Sequence, residues 1–181
     1  MGRPVEPERR ARLLEAAIDY AIANGLADLT LRPLAKALGV LPNTLAHHFG
    51  SKEELLSEIL NGVRDRLRAM RDQLRADPEG VPLQGVWEWT ADPERQAFFR
   101  SFFEAYGIAL EHPQRFQAFL ARVVADWLPA ADAELATLEL AVVRGLLLDL
   151  LTTGERERVD RALALFAGLV EASDRVQPTA R

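Results

Sequence analysis

Thr30-Leu31-Arg32-Pro33-Leu34-Ala35-Lys36-Ala37-Leu38-Gly39-Val40-Leu41-Pro42-Asn43-Thr44-Leu45-Ala46-His47-His48-Phe49 is the stretch whose pattern decides the fold. It reads as two short helices: one capped by Thr30 with Leu34, Ala35 and Leu38 inward, then, beyond Gly39, one from Pro42 to Phe49 with Leu45 and Phe49 inward. Pro33 and Pro42 fall near helix starts, where a missing N–H costs no intrahelical hydrogen bond. Ala35 and Gly39 are small where the helices approach. Two short helices packed across a Gly-containing turn present the second to solvent, where it can enter a major groove. Periodicity alone also allows a helical hairpin with another purpose.

Outward from this segment the chain continues as helices. Leu13, Leu14, Ala17, Ile18, Ala21 and Ile22 recur at helical spacing from Pro7 to about Ala23, and Asn24-Gly25 supplies the stop. Ser51-Lys52-Glu53-Glu54 is a capping box opening a long helix that runs to about Ala76. Its apolar stripe runs from Leu55 to Leu74, and the arginines Arg64, Arg66, Arg68, Arg71 and Arg75 read as a solvated face with i, i+4 ion pairs. Asp77 to Pro82 is the clearest break, and helices follow near 83–90, 93–110, 113–128, 132–152 and 155–173. The tail from Gln177 reads as frayed. No period-2 alternation long enough for a sheet occurs. The fold class is therefore all-α, an N-terminal three-helix helix-turn-helix domain at 1–52 and a helical bundle at 53–181.

Composition narrows the function. The chain has 181 residues and no cysteine, so disulfide frameworks, thiolate metal sites and thiol catalysis are excluded, and a reducing cytoplasm is the expected compartment. The charged first residues contain no signal-peptide core, and Arg144 and Asp149 interrupt the most apolar stretch, so no membrane partner is expected. Net charge is −5, which argues against a general polyanion binder. Residues 1–52, however, hold seven basic side chains against five acidic, a surplus of two that leaves −7 for the remainder. A nucleic-acid surface, if present, belongs near the N-terminus. No nucleophile-base motif, Gly-rich phosphate loop or carboxylate pair stands out, so neither an enzyme nor a cofactor is indicated.

The blocks Arg12-Leu13-Leu14-Glu15-Ala16-Ala17, Asn24-Gly25, Thr30, Leu34-Ala35, Leu38-Gly39-Val40, Thr44-Leu45 and His48-Phe49-Gly50-Ser51-Lys52-Glu53-Glu54-Leu55-Leu56 resemble, in order and spacing, the DNA-binding domain of TetR-family transcriptional regulators. The resemblance covers about residues 8–60. It implies a homodimeric, ligand-responsive regulator, by family habit a repressor, on a near-palindromic double-stranded operator. By position it implies DNA contacts from Thr44, two residues into the recognition helix, and from Lys52, which would clamp a phosphate at the start of the next helix. Pro42 and Asn43 sit at the end where sequence is read, and the Asn43 amide matches an adenine edge. Arg32 and the arm residues Arg3, Arg9 and Arg10 are further candidates. Two positions depart from the family: Ala46 stands where Tyr is usual and Leu41 where Ser or Thr usually caps the helix, with His47 a substitute for the lost phosphate contact. His48 reads as packed or phosphate-facing; a metal site with His47 is disfavoured because adjacent helical residues point about 100° apart.

Aromatic residues crowd the middle of the chain. Most are core, but Trp87, Phe99, Phe102, Phe103, Tyr106 and Phe119 also suit the lining of a pocket for an apolar or amphipathic effector of unknown identity, with Arg100, Glu104, Arg122, Asp126 and Tyr106 as orienting groups. Trp127 belongs to the same aromatic set. Helices 132–152 and 155–173 are apolar on more than one face, with Gly145 and Gly168 open to close approach, and read as half of a four-helix homodimer interface. The competing reading is a helical ligand-binding or interaction protein that has lost specific DNA binding, which Leu41, Ala46 and the acidic balance favour.

Overall fold

A computed structural model describes residues 6–26, 29–74, 82–126 and 133–176. Arg3, most of the 77–82 break, Trp127 and the 177–181 tail lie outside the described residues. Nine α-helices are described, with no strand among the described residues: α1 Glu6–Asn24, α2 Leu31–Ala37, α3 Pro42–Phe49, α4 Lys52–Leu74, α5 Leu83–Thr90, α6 Gln96–Glu111, α7 Gln117–Ala125, α8 Ala133–Thr153 and α9 Arg156–Val176. The helix expected over 93–110 divides: Pro93–Arg95 is a 3-10 turn capped by the Asp92 carboxylate, which accepts from the Glu94 N–H. The helix expected from 113 begins at Gln117 instead. The Arg115 and Phe116 amides both donate to the His112 carbonyl, making a turn, and Phe116 is buried from a non-helical cap position.

The chain forms two compact units, Met1–Arg71 with Ala97–Asp126, and Asp72–Gln96 with Trp127–Arg181. In the first, the inward residues of α1 (Leu13, Ala17, Ile18, Ala21) are buried, as are Leu34 and Ala35 of α2, Leu45 and Phe49 of α3, and Leu55, Ile59, Leu60, Val63 and Leu67 of α4. Gly62 has no side chain because Ile18 needs the space: a Cβ there would lie 2.2 Å from the Ile18 Cδ1. Helix α6 is tied to the end of α1. The Ser101 hydroxyl lies 3.2 Å from the carbonyls of both Ala21 and Ile22, and the Glu104 carboxylate accepts from the Leu26 N–H.

The Arg-rich face of α4 differs from the sequence expectation. Arg64 and Arg71 are buried, and Arg64 and Arg66 reach partners outside α4. Arg64 donates twice to Asp126 beyond α7, at 2.7 and 3.1 Å, with side chains only 8% and 17% exposed. Arg66 bridges Asp19 and Glu15 of α1, one turn apart, at 2.6 and 2.8 Å. Charge on a long helix looks like solvated surface until tertiary partners are known; the long Arg stem allows its head to be paired at depth.

In the second unit, Trp87 is fully buried, its indole N–H donating to Asp160 at 2.6 Å beneath the Arg156 guanidinium. Val143, Leu147 and Leu150 of α8 are buried, as are Val159 and Leu163 of α9. Arg158 closes the α8–α9 turn by pairing with Asp149 and Glu155, which holds the Asp149 carboxyl below its ordinary range. The opposite faces carry exposed Leu138, Leu148, Leu165 and Leu169. A Cβ added at Gly145 or Gly168 would meet nothing within 4 Å, so neither glycine serves an approach between described parts of the chain.

Candidate nucleic-acid interface

The turn between α2 and α3 forms as its composition demands. Gly39 has φ +66, a left-handed conformation costly for other residues, and the Val40 N–H returns to the Ala35 carbonyl at 2.9 Å. Thr30 occupies the cap of α2, but its side chain makes no capping hydrogen bond. Leu41 occupies the cap of α3, again without a side-chain bond, while Pro42 takes the first turn. An eight-residue helix is far below the length at which isolated helices hold together in water, so α3 depends on its tertiary grip.

Part of that grip lies at the C-terminal end. Arg10 of α1 donates from Nε to the His48 carbonyl at 3.0 Å, reaches Glu58 of α4 at 2.5 Å, and stacks over the Phe49 ring at 4.9 Å. A cation there complements the negative end of the helix. Arg10 thus positions the recognition helix, a role different from the DNA-contacting arm expected of it. Its partners lie 38 and 48 residues away, and no local signal announces them.

The expected DNA contacts fall in three classes. Arg32, Pro42, Asn43, His47 and Lys52 are exposed, and Thr44 is half-buried. His47 is 76% exposed at its side chain, with Glu6 3.7 Å away. The His48 ring turns inward, its side chain 3% exposed beside Phe49, which gives it no surface for a phosphate. No three His, Asp or Glu side chains among the described residues converge as a metal site would require.

Lys52 is the first residue of α4, where the capping box forms as read: the Glu54 carboxylate accepts from the Ser51 N–H at 2.7 Å and the Ser51 hydroxyl from the Glu54 N–H at 3.1 Å. The backbone hydrogen bond to Ser51 holds the Glu54 carboxyl below its ordinary range. The aromatic residues expected to line an effector site divide between the units. Phe103, Phe102, Tyr106 and Phe119 form an edge-to-face series with ring centroids 5.7, 5.8 and 6.3 Å apart, and Phe99 is paired with Phe98 at 5.3 Å. Trp87 belongs to the other unit, its polar atom committed to Asp160. Of the proposed orienting groups, Glu104 and Asp126 are already engaged by Leu26 and Arg64.

The family model described as bacterial regulatory proteins, tetR family, matches residues 13–59, which span α1 to the middle of α4. The transcriptional repressor KstR2 of Mycobacterium tuberculosis is 36% identical over 97 residues, 54% of this chain and 44% of that protein. Residues 13–59 thus carry the likeness to the TetR family. The chain matches less than half the length of the curated relatives it resembles. Over nearly its whole length it shares a fold with a transcriptional regulator of Rhodococcus sp. Rha1, at 22% identity and TM-score 0.70, covering 91% of this chain and 96% of that one. The multidrug binding protein EbrR, solved with imidazole, is similar at 24% identity and TM-score 0.62, covering 87% and 89%. These likenesses support the all-α, TetR-like fold. No described helix is long and apolar enough to cross a membrane.

Proposed function

We propose that this chain is a ligand-responsive transcriptional regulator of the TetR family, a repressor by family habit, that binds a near-palindromic operator as a homodimer. The observation that carries the reading is α3: an eight-residue helix with Leu45 and Phe49 buried beneath it and Pro42, Asn43, Ala46 and His47 exposed above, followed three residues later by Lys52. Asn43, Thr44 and His47 then face base edges or phosphates, and Arg32 and Lys52 face phosphates. His48 packs.

The exposed leucines of α8 and α9 and the open space at Gly145 and Gly168 support a homodimer through these two helices. Paired subunits would set two copies of α3 one turn of DNA apart, about 34 Å. The effector would be apolar or amphipathic and seated against Phe99, Phe102, Phe103, Tyr106 and Phe119, all within the first unit. The same α6 that bears four of these rings holds the end of α1 through Ser101 and Glu104, and Asp126 holds α4 through Arg64. A ligand that displaces α6 or α7 would therefore pull on the helices that carry and flank α3. Family-scale coupling of about 1–3 kcal/mol is enough to alter operator occupancy. Such a regulator acts in the cytoplasm, at its DNA.

Selection from a random-sequence duplex library by the purified chain tests the reading. Enrichment of a short sequence repeated in inverted orientation about one turn apart supports it. Failure to enrich any sequence, even at low salt, refutes it.

A further inference from the structure

The outward surface of α3 has an unusual chemistry for a helix meant to read DNA. Its sequence, Pro42 to Phe49, contains no lysine, arginine, aspartate, glutamate or glutamine. Four residues apart on a helix means one face, so the exposed positions form two ridges: Pro42 with Ala46, and Asn43 with His47. Leu41 adds an apolar side chain next to Pro42 at the cap, from an extended backbone outside the helix. It is 74% exposed, more than any other large apolar side chain among the described residues. Its side chain supplies no oxygen to the helix end, and the Thr44 N–H bonds instead to the Leu41 carbonyl at 2.9 Å.

In the major groove, bidentate recognition of guanine requires arginine or lysine, which α3 lacks. The one apolar group that base edges present there is the thymine C5-methyl, and the amide of asparagine matches adenine N6 and N7. An apolar ridge beside an asparagine is thus complementary to A·T pairs. Resting on the DNA-binding reading above, we infer that Leu41, with Pro42, reads thymine C5-methyl groups in each operator half-site, and that an A·T step lies under the N-terminal end of α3.

Deoxyuridine tests this directly, because it removes only the methyl and keeps every hydrogen bond. Each thymine of the selected operator is replaced singly and binding is measured by fluorescence anisotropy. The expected result is a loss of about fourfold per symmetric pair member at one or two positions per half-site, the scale set by burying one methyl group. Leu41→Ala, which alters no buried contact, should abolish that difference, binding thymine and deoxyuridine duplexes equally while unfolding at the same urea concentration as the parent. The inference is overturned if no deoxyuridine position matters, if the Leu41→Ala variant keeps the full methyl sensitivity, or if that substitution changes the oligomeric state, which would make Leu41 a protein contact. Absence of any selected operator would sink the DNA-binding reading itself, a different failure from binding both duplexes without discrimination.

Discussion

Arg10 makes the sharpest energetic prediction for this chain. Replacing it with Met keeps the stem over Phe49 but removes the donor to the His48 carbonyl, the ion pair with Glu58 and the cation above the ring. A hydrogen bond from a charged group contributes about 1.5–3 kcal/mol, an exposed ion pair about 0–1 and a solvated cation–π contact about 0.5–1. Arg10 is 41% exposed at its side chain, so solvent competes for the guanidinium and each contribution sits toward its lower bound. These terms act through one group and do not add, giving an expected loss of about 2 kcal/mol for Arg10→Met. Glu58→Gln removes only the ion pair and should cost less than about 1 kcal/mol. Urea unfolding of the two variants supplies the comparison. If Arg10→Met unfolds within about 0.5 kcal/mol of the parent, or if Glu58→Gln is as costly as Arg10→Met, the grip on the α3 carbonyl does not hold the recognition helix and the reasoning fails.

Other parts of the structure yield further expectations. Asp126→Ala leaves the Arg64 guanidinium buried beside only the exposed Asp65, so unfolding free energy should fall by about 3 kcal/mol, whereas Arg64→Met with Asp126→Leu should recover most of it; a single substitution costing under 1 kcal/mol would contradict the pairing. Gly62→Ala drives a methyl into Ile18 and should cost about 1–3 kcal/mol, partly relieved by Ile18→Val, which deletes the Cδ1 that Ala would strike. Ser51→Ala should lower stability by about 1 kcal/mol through loss of the α4 cap. The Glu54 half of that cap has a folded pKa below its unfolded value, so its contribution is full above the ordinary carboxylate range and is lost as pH falls through the folded pKa. Below that folded pKa the parent and Glu54→Gln should unfold alike, and a difference persisting in strong acid would count against the hydrogen-bonded carboxylate.

Local chemistry made much of this molecule legible in advance. Pro42, Gly39, the Ser51-Lys52-Glu53-Glu54 box and the apolar stripe of α4 each encode their own conformation within a few residues, and each formed as read. What stayed hidden depends on distant partners. Nothing near Arg10 reveals that its guanidinium closes on a carbonyl 38 residues away, and nothing on α4 distinguishes Arg64, bound for Asp126, from a solvated arginine. Pro113 looked like a helix start because proline fits a first turn, yet burial of Phe116 delays the helix to Gln117. His48 illustrates the same limit on the site: position along α3 made it a candidate contact, and only packing against Phe49 shows the ring facing inward.

The central claim, that α3 reads base edges while Lys52 holds phosphate, is tested most directly by titrating the selected operator and a scrambled duplex over a range of salt concentrations. The account predicts operator binding at least about a thousandfold tighter than scrambled. Lys52→Ala should reduce the salt slope by about one per subunit, and Asn43→Ala should weaken the operator complex without changing that slope. Equal affinity for both duplexes at every salt concentration, or an Asn43→Ala variant that discriminates as the parent does, would contradict it.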